Sequence, residues 1–430
     1  MIGDKSQLIN GILLLYHHPL RQSASTIMEH VNAFKKYSRF NVWNVNTELG
    51  FPEGLRRAQF KTLVLHYSLF VPPRYYLDED FLNYIAMCPH TYKIAFFQDE
   101  YRFCQQRFAF INRCKVDCVY TLLEPRYFSH VYQKYTKVEK LISTLPGYVS
   151  DDLIAVAQKI TKPENEREID VGYRARRLPF YMGKGAQEKH EIGIRFRECA
   201  SASGLKTDIE TDERRRIYGR RWYEFLANCR AVLGVEAGVS IFDLEDKVRI
   251  ECERLIAENP RIRFGEVSKR VLQPWEGNVP YRTISPRHFE AAALRVCQIL
   301  SEGDYSGVMQ PMVHYIPLKK DFSNFGDVIR MLKDKKLRSR FIENAYRDVV
   351  ASGQYSYRKF IEESFDPSVP DSQSNSRMAD DEVWDVTALL QKGARRRKLY
   401  ALCRSVPYCH FPGRSLVTSA AQRVARRLWG

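Results

Sequence analysis

The chain has no run of 18 apolar residues, so no transmembrane helix is expected. Its start, MIGDKSQLINGILLLYHH, holds an apolar stretch of only about five residues and lacks a basic leader and a small-residue cleavage site. It reads as a first buried strand rather than a secretion signal. None of the ten cysteines forms a CxxC pair, and no Cys/His cluster has zinc-ligand spacing, so no metal site is expected. Several cysteines sit inside apolar patterns, as in VDCVYT and RVCQIL, which suits reduced core thiols in a cytosolic protein. Acid is missing altogether from residues 391–430. That segment carries ten Lys and Arg, so of the net charge of +16 only +6 belongs to the other 390 residues. The body is mildly basic, and the tail is the basic object.

What is present is an alternation. A length of 430 residues is too long for one ordinary core and suits two domains. Strand-like runs occur at 11–17, 40–46, 62–68, 93–98, 117–121 and 140–146, separated by helix-like stretches such as STIMEHVNAFKKY. Continuous apolar strands alternating with amphipathic helices indicate a parallel sheet covered on both faces. Residues 147–167 break the pattern with the polar TKPENERE, which reads as a crossing. The alternation restarts at EIDVGYR (168–174) and continues through LKTDIE, AVLGVEAG, RVCQILSE and VHYIPLK to three helical segments within 325–365. The fold class is therefore α/β, with an N-terminal domain over 1–148 and a C-terminal domain over 149–365. Residues 366–390 read as a disordered linker, and 391–430 as a basic amphipathic tail.

In open parallel sheets, ligands bind beyond the carboxyl ends of the strands. The stretch KIAFFQDEYRF (93–103) ends a strand on Asp99 and Glu100, which places carboxylates at that crevice as candidate bases; the alternative is a helix cap. His17 and His18 end the first strand at the same level, and His18 is a further candidate. In the second domain, VGYRARRLPFYMGKGAQEKHEIG (171–193) follows a strand and opens a helix. Gly183 and its neighbours let backbone approach a phosphate, and Arg174, Lys184 and Lys189 supply countercharge. The loop is neither a P-loop nor GxGxxG, and a solvated basic loop is the bland alternative. GVEAGVSIFD (234–243) is a strand followed by a glycine turn containing Glu236, Gly238 and Ser240. Glu290, on a helix opened by Ser285 and Pro286, faces either solvent or the crevice, where it would hold the hydroxyls of a ribose.

These runs, together with RIYGRRWYEFLANCRAVLGVEAGVSIFD and TISPRHFEAAAL, resemble bacterial GT-B glycosyltransferases of the family-4-like and spore-maturation-like groups, found among surface-polysaccharide genes. The resemblance spans roughly residues 10–365 and omits the tail. It implies two facing Rossmann-like doubly wound domains, the first for the acceptor and the second for a nucleoside diphosphate sugar. It implies that Arg174 and a lysine of 184–189 contact the diphosphate and that Glu290 binds the ribose. Glu236, Gly238 and Ser240 would lie near the donor, and Asp321 would help close the nucleotide pocket. One departure stands out: where many retaining members carry a glutamate eight positions before the ribose glutamate, this chain has Arg282, a cation suited to a phosphate or an acidic sugar. The implied reaction is metal-independent transfer of a sugar to an acceptor hydroxyl, with no cofactor besides the donor. Domain closure over the donor would hinge near 147–167 and near the last helix.

The expected partners are the nucleotide-sugar donor and a saccharide or lipid-linked acceptor, with no nucleic acid. Leu416, Ala420, Val424 and Leu428 recur four apart beside Arg423, Arg426 and Arg427, a pattern that lies on an anionic membrane. The expected location is cytoplasmic, peripheral on the inner membrane face. The rival readings are a nucleic-acid-binding or regulatory protein using the tail, and a sugar-nucleotide epimerase on the same fold.

Overall fold

The structure, a computed structural model, describes residues 7–20, 25–370, 378, 380–395 and 397–399. The N-terminal sheet contains β1 (Gln7–Tyr16), β2 (Val42–Asn46) and β3 (Ala58–Leu65). After the short hairpin β4 (Phe70–Val71) and β5 (Arg74–Tyr75) it continues with β6 (Tyr92–Phe96), β7 (Cys118–Thr121) and β8 (Lys140–Ser143). Its six strands are parallel in the order β2-β1-β3-β6-β7-β8. The reason lies in the residues. Along β1, Leu13 and Leu15 enter one buried layer, while Ile12 and Leu14 enter the layer on the opposite face. A strand buried on both faces reads as a continuous apolar run, and each such side chain contributes ~1.5–3 kcal/mol of burial.

The C-terminal sheet repeats the plan with β9 (Ile169–Arg174), β10 (Thr207–Glu210), β11 (Cys229–Gly234), β14 (Cys297–Ser301) and β15 (Ile316–Leu318), parallel in the order β10-β9-β11-β14-β15. In both sheets the order reverses beside the first strand, which is the switch point where a crevice opens. Between β11 and β14, the antiparallel ribbon of β12 (Ala237–Val239) and β13 (Tyr281–Thr283) brackets a helical excursion. Gly238 is obligatory in this ribbon: its φ is +89°, and a Cβ there would lie 1.8 Å from the Tyr281 carbonyl oxygen.

The excursion does not stay with its own sheet. Phe242, Val248, Leu255 and Tyr281 join the same core as Leu13, Leu15 and Phe97 of the N-terminal domain. At that junction Glu100 is fully buried. Its carboxylate accepts from Thr121 Oγ1 (2.7 Å), the Leu122 N–H (2.9 Å), Tyr132 and, from the other domain, Tyr281 Oη (3.0 Å). Arg107, also buried, donates to the Glu100 carbonyl at 2.6 Å. Neighbouring fasteners are the Asp243 N–H on the Tyr101 carbonyl (2.9 Å), the Phe103 N–H on Asp246 (3.0 Å) and Arg102 on Tyr181 Oη (3.1 Å).

Three expectations are corrected here. The segment 354–365 does not close the C-terminal domain: Tyr357, Phe360, Ile361 and Phe365 pack on the N-terminal sheet beside Ile12, Val64 and Phe96. Nor is 366–390 a disordered linker in its described parts. Buried Asp366 accepts from Ser38 Oγ (2.6 Å) and the Arg39 N–H (2.8 Å), and the helix Asp380–Gln391 buries Val386 and Leu390 against the N-terminal core. The stretch 147–167 is not a bare hinge. It contains the helix Asp151–Ile160, capped by Ser150, and buried Arg167 donates to the carbonyls of Lys162, Cys229 and Leu294. The tail beyond Leu399, with its amphipathic pattern, lies outside the described residues.

Glu100→Ala strands three hydroxyls and the Leu122 N–H in a dry junction. It is expected to cost about 3–5 kcal/mol, and Tyr281→Phe about 1–2 kcal/mol, both measured by denaturant unfolding.

Candidate active site

The residues that follow the strand ends of the two sheets face one another. From the N-terminal domain come Glu29, on the helix Ser25–Tyr37, and exposed Asp99 after β6, whose φ of +51° aims it out of the sheet. From the C-terminal domain come Arg176 after β9, Lys189 on the helix Lys184–Ala200, and Arg287 and Glu290 on the helix Pro286–Ala293. Lys189 is half-buried, and its ammonium makes no hydrogen bond or ion pair with a described residue. Burial holds its pKa down to about 8; Arg282, Arg287 and Arg176 push the same way, while Asp99 across the interface pulls upward. A cation crowded by cations and left without a partner is a place for an anion.

Glu290 is 6% exposed. Its Oε2 accepts from Trp222 Nε1 at 2.7 Å, and its Oε1 has no partner among the described residues. Burial raises its pKa to about 7, against the pull of the Trp222 N–H and Arg287, and Glu29 of the facing domain adds to the rise. Glu29 accepts from Ser150 Oγ (2.8 Å) and Tyr223 Oη (3.2 Å), and burial raises it as well.

Several of the residues chosen from the sequence are engaged elsewhere. Arg174 points away from this cluster: its guanidinium is buried on Asp208 (2.8 Å) and the carbonyls of Tyr173 and Asp208, over the Phe225 ring. Arg287 takes its place, donating to the Arg174 carbonyl at 2.5 Å. Arg282 is consumed by Glu188 (2.5 Å), Glu236 (3.3 Å) and the Gly185 carbonyl (2.7 Å). Glu236 in turn braces the N–H groups of Asp304 and Tyr305, so it buttresses the loop after β14 instead of facing a donor. The helix N-terminus at Lys184 is closed. Glu276 accepts the Lys184 N–H (2.8 Å), and Ser240 Oγ accepts the Gly185 N–H (2.9 Å). Gly183, with φ +79°, packs so tightly there that a Cβ would meet Ser240 Oγ at 2.4 Å. Gly238 serves the ribbon, and Asp321 is exposed and closes its own turn on the Ser323 N–H.

Glu100 is a structural carboxylate with every lobe occupied, and so cannot receive a substrate proton. Asp99 does not cap a helix, because the next one starts at Cys104. His18 is held through its backbone by Asn46, with no contact to Asp99 or Lys189 among the described residues. His17 stacks on Tyr76 at 3.6 Å. Sequence reasoning missed Glu29, Arg287, Trp222 and Tyr223. It also missed a buried relay at the N-terminal switch point, in which His30 Nδ1 meets His66 Nε2 (3.0 Å) and His66 Nδ1 meets Ser68 Oγ (2.8 Å). Burial keeps both rings neutral. The readable signal was Arg287, close before Glu290 in the sequence; nothing local marked Trp222, Tyr223, His30 or Glu29.

Two parallel doubly wound sheets facing each other through their strand ends, with a C-terminal segment crossing back, define the GT-B fold, and this chain has it. Among solved structures it is similar to an alpha-glucosyltransferase in complex with UDP and a 13-mer DNA containing a central A:G mismatch. The TM-score is 0.51 at 10% identity, covering 83% of this chain and 99% of that one. An alpha-glucosyltransferase in complex with UDP-glucose and DNA containing an abasic site gives 0.50 at 12% identity, covering 83% and 98%. No protein-family profile and no curated protein matches the chain. No helix among the described residues is long and apolar enough to cross a membrane.

The folded pKa of Glu290, about 7, lies above its ordinary value of 4.5. The folded protein therefore keeps a proton that the unfolded chain loses between these values, and this group lowers stability as pH rises from 4.5 to 7. Glu290→Gln removes the cost and keeps an acceptor for Trp222. It is expected to stabilise the protein by about 1–3 kcal/mol at pH 8 and not at all near pH 4, read from melting temperatures at the two pH values.

Proposed function

We propose that the protein is a glycosyltransferase that moves a sugar from a nucleoside diphosphate sugar to an acceptor hydroxyl, in the assembly of a bacterial surface glycan. The observation that carries this reading is the Lys189 ammonium, without a hydrogen-bond or ion-pair partner among the described residues, beside Arg176 and Arg287 and facing Asp99 across the meeting of two strand-end crevices. In the proposed step the bond from the anomeric carbon to the diphosphate oxygen breaks, and the acceptor oxygen bonds to that carbon. The negative charge that grows on the departing diphosphate is met by Lys189, Arg176 and Arg287, groups already in place before the reaction. Asp99, on the N-terminal side, takes the acceptor proton. Glu290, with a carboxylate oxygen left over, holds the ribose hydroxyls. The reading needs no cofactor other than the donor. The acceptor is a saccharide or lipid-linked saccharide, and the basic tail holds the enzyme to the cytoplasmic face of an anionic membrane. Support for donor chemistry comes from the alpha-glucosyltransferase of like fold, in complex with UDP or UDP-glucose.

The test is a panel of nucleotide sugars with product analysis. Lys189→Ala is expected to weaken binding of the active nucleotide diphosphate by ~10–100-fold in calorimetry, as the loss of a charge-assisted contact requires. Asp99→Asn is expected to lower turnover by ~10²–10⁴ while nucleotide affinity stays within a few-fold. Unchanged turnover in Asp99→Asn removes the base, and absence of transfer with every donor removes the reading.

A further inference from the structure

The junction around Glu100 ties the two domains together beside the crevice, so a donor cannot enter by parting them there. The element over the crevice is a different one, the short helix Arg220–Ala227. Its Phe225, Leu226 and Ala227 are buried in the C-terminal core, whereas Arg220 and Arg221 at its start are exposed. It is entered through Gly219, whose φ is +58° and whose added Cβ would meet nothing within 4 Å. Two adjacent residues of this helix reach carboxylates of opposite domains. Trp222 Nε1 donates to Glu290 at 2.7 Å, and Tyr223 Oη donates to Glu29 at 3.2 Å, with Ser25 Oγ 2.8 Å from the same hydroxyl. The Trp222 ring also lies 4.9 Å beneath the Arg287 guanidinium.

We propose that Trp222 and Tyr223 form a latch across the crevice, in which the indole N–H stands in for a ribose hydroxyl on Glu290 until a nucleotide displaces it. The proposal rests on the assignment of Glu290 to the donor ribose. A vicinal diol offers two hydroxyl donors to a carboxylate that now receives one N–H, and the second oxygen of Glu290 has no hydrogen-bond partner among the described residues. Swinging Trp222 out also takes the indole from beneath the already exposed Arg287 guanidinium, so one side-chain movement frees the ribose acceptor and releases a neighbouring cation for the diphosphate. Tyr223, fastened to Glu29, sets the cost of that movement from the acceptor side. The latch is thus a positioning device, and its residues act on the donor through Glu290 and Arg287.

The experiment titrates the full chain with UDP, GDP and ADP, following tryptophan emission and calorimetric affinity. Wild type is expected to bind at least one of them with a change in emission. Trp222→Phe, which keeps the bulk and removes the N–H, is expected to bind that nucleotide ~5–10-fold more tightly, the worth of one competing hydrogen bond, and to lose the emission change. Tyr223→Phe is expected to tighten binding ~2–5-fold and keep the emission change, which tests the latch even if Trp222→Phe folds poorly. Wild-type binding with unchanged affinity and an undiminished emission change in Trp222→Phe overturns the latch and leaves the donor site standing. Failure of wild type to bind any of the three nucleotides overturns the donor site, and the latch with it.

Discussion

A carboxylate shared between two domains organises this molecule. Glu100 follows a strand of the first sheet, yet one of its hydrogen-bond donors, Tyr281, belongs to a ribbon that leaves the second. Burial pushes its carboxyl upward, and Arg107 and the hydroxyl donors pull it back. A buried charge is tolerated only when its donors are held in place, and here they can be held only with the domains in register. The apolar side chains of the excursion, Phe242, Val248 and Leu255 among them, fill the space around the cage and make one core of two. Against that fixed core, the proposed latch moves only the Trp222 side chain of the helix Arg220–Ala227.

The same rule separates the arginines that build the protein from the cations that face the crevice. Inside, a guanidinium finds carboxylates and carbonyls: Arg174 on Asp208, Arg282 on Glu188 and Glu236, Arg167 on three backbone oxygens. Such groups are spent mainly on the protein's own acceptors. Lys189 differs because burial pulls its pKa down and its charged neighbours are mostly positive, so Arg282, Arg287 and Arg176 add to the fall while Asp99 opposes it. Positive charge kept without a partner is unfavourable for folding and useful for holding a diphosphate. The two carboxyls Glu29 and Glu290 show the complementary case, both raised by burial, Glu29 further by Asp152 and Glu290 by Glu29 across the interface.

The sheet architecture was readable because burial on both faces leaves a one-dimensional trace: GILLLY, TLVLHY and VCQIL are apolar without alternation, and helices separate them. The placement of Asp99 beyond β6 was readable for the same reason, since topology puts strand ends at a crevice, whereas Lys189 was chosen from a basic helix start and Glu290 from a family resemblance. Arg174 and Glu236 were chosen by the same logic and proved structural, because strand position fixes a backbone address and leaves the direction of a long side chain open. The segment 366–390 looked disordered from its Pro, Ser and Asp content, but Asp366 finds Ser38 and Arg39 more than 300 residues away, a pairing no local pattern encodes.

By itself, then, the amino-acid order determined two α/β halves, a basic C-terminal segment and a basic, carboxylate-bearing crevice, all of which follow from period, composition and strand ends. Only the tertiary structure decided that Lys189 has no ion-pair partner among the described residues, which acid is entombed, and that Trp222 and Tyr223 bridge Glu290 and Glu29. Those outcomes depend on which charges meet through space. That is settled by packing between distant segments, where a single well-placed carboxylate converts a guanidinium from a ligand contact into a strut.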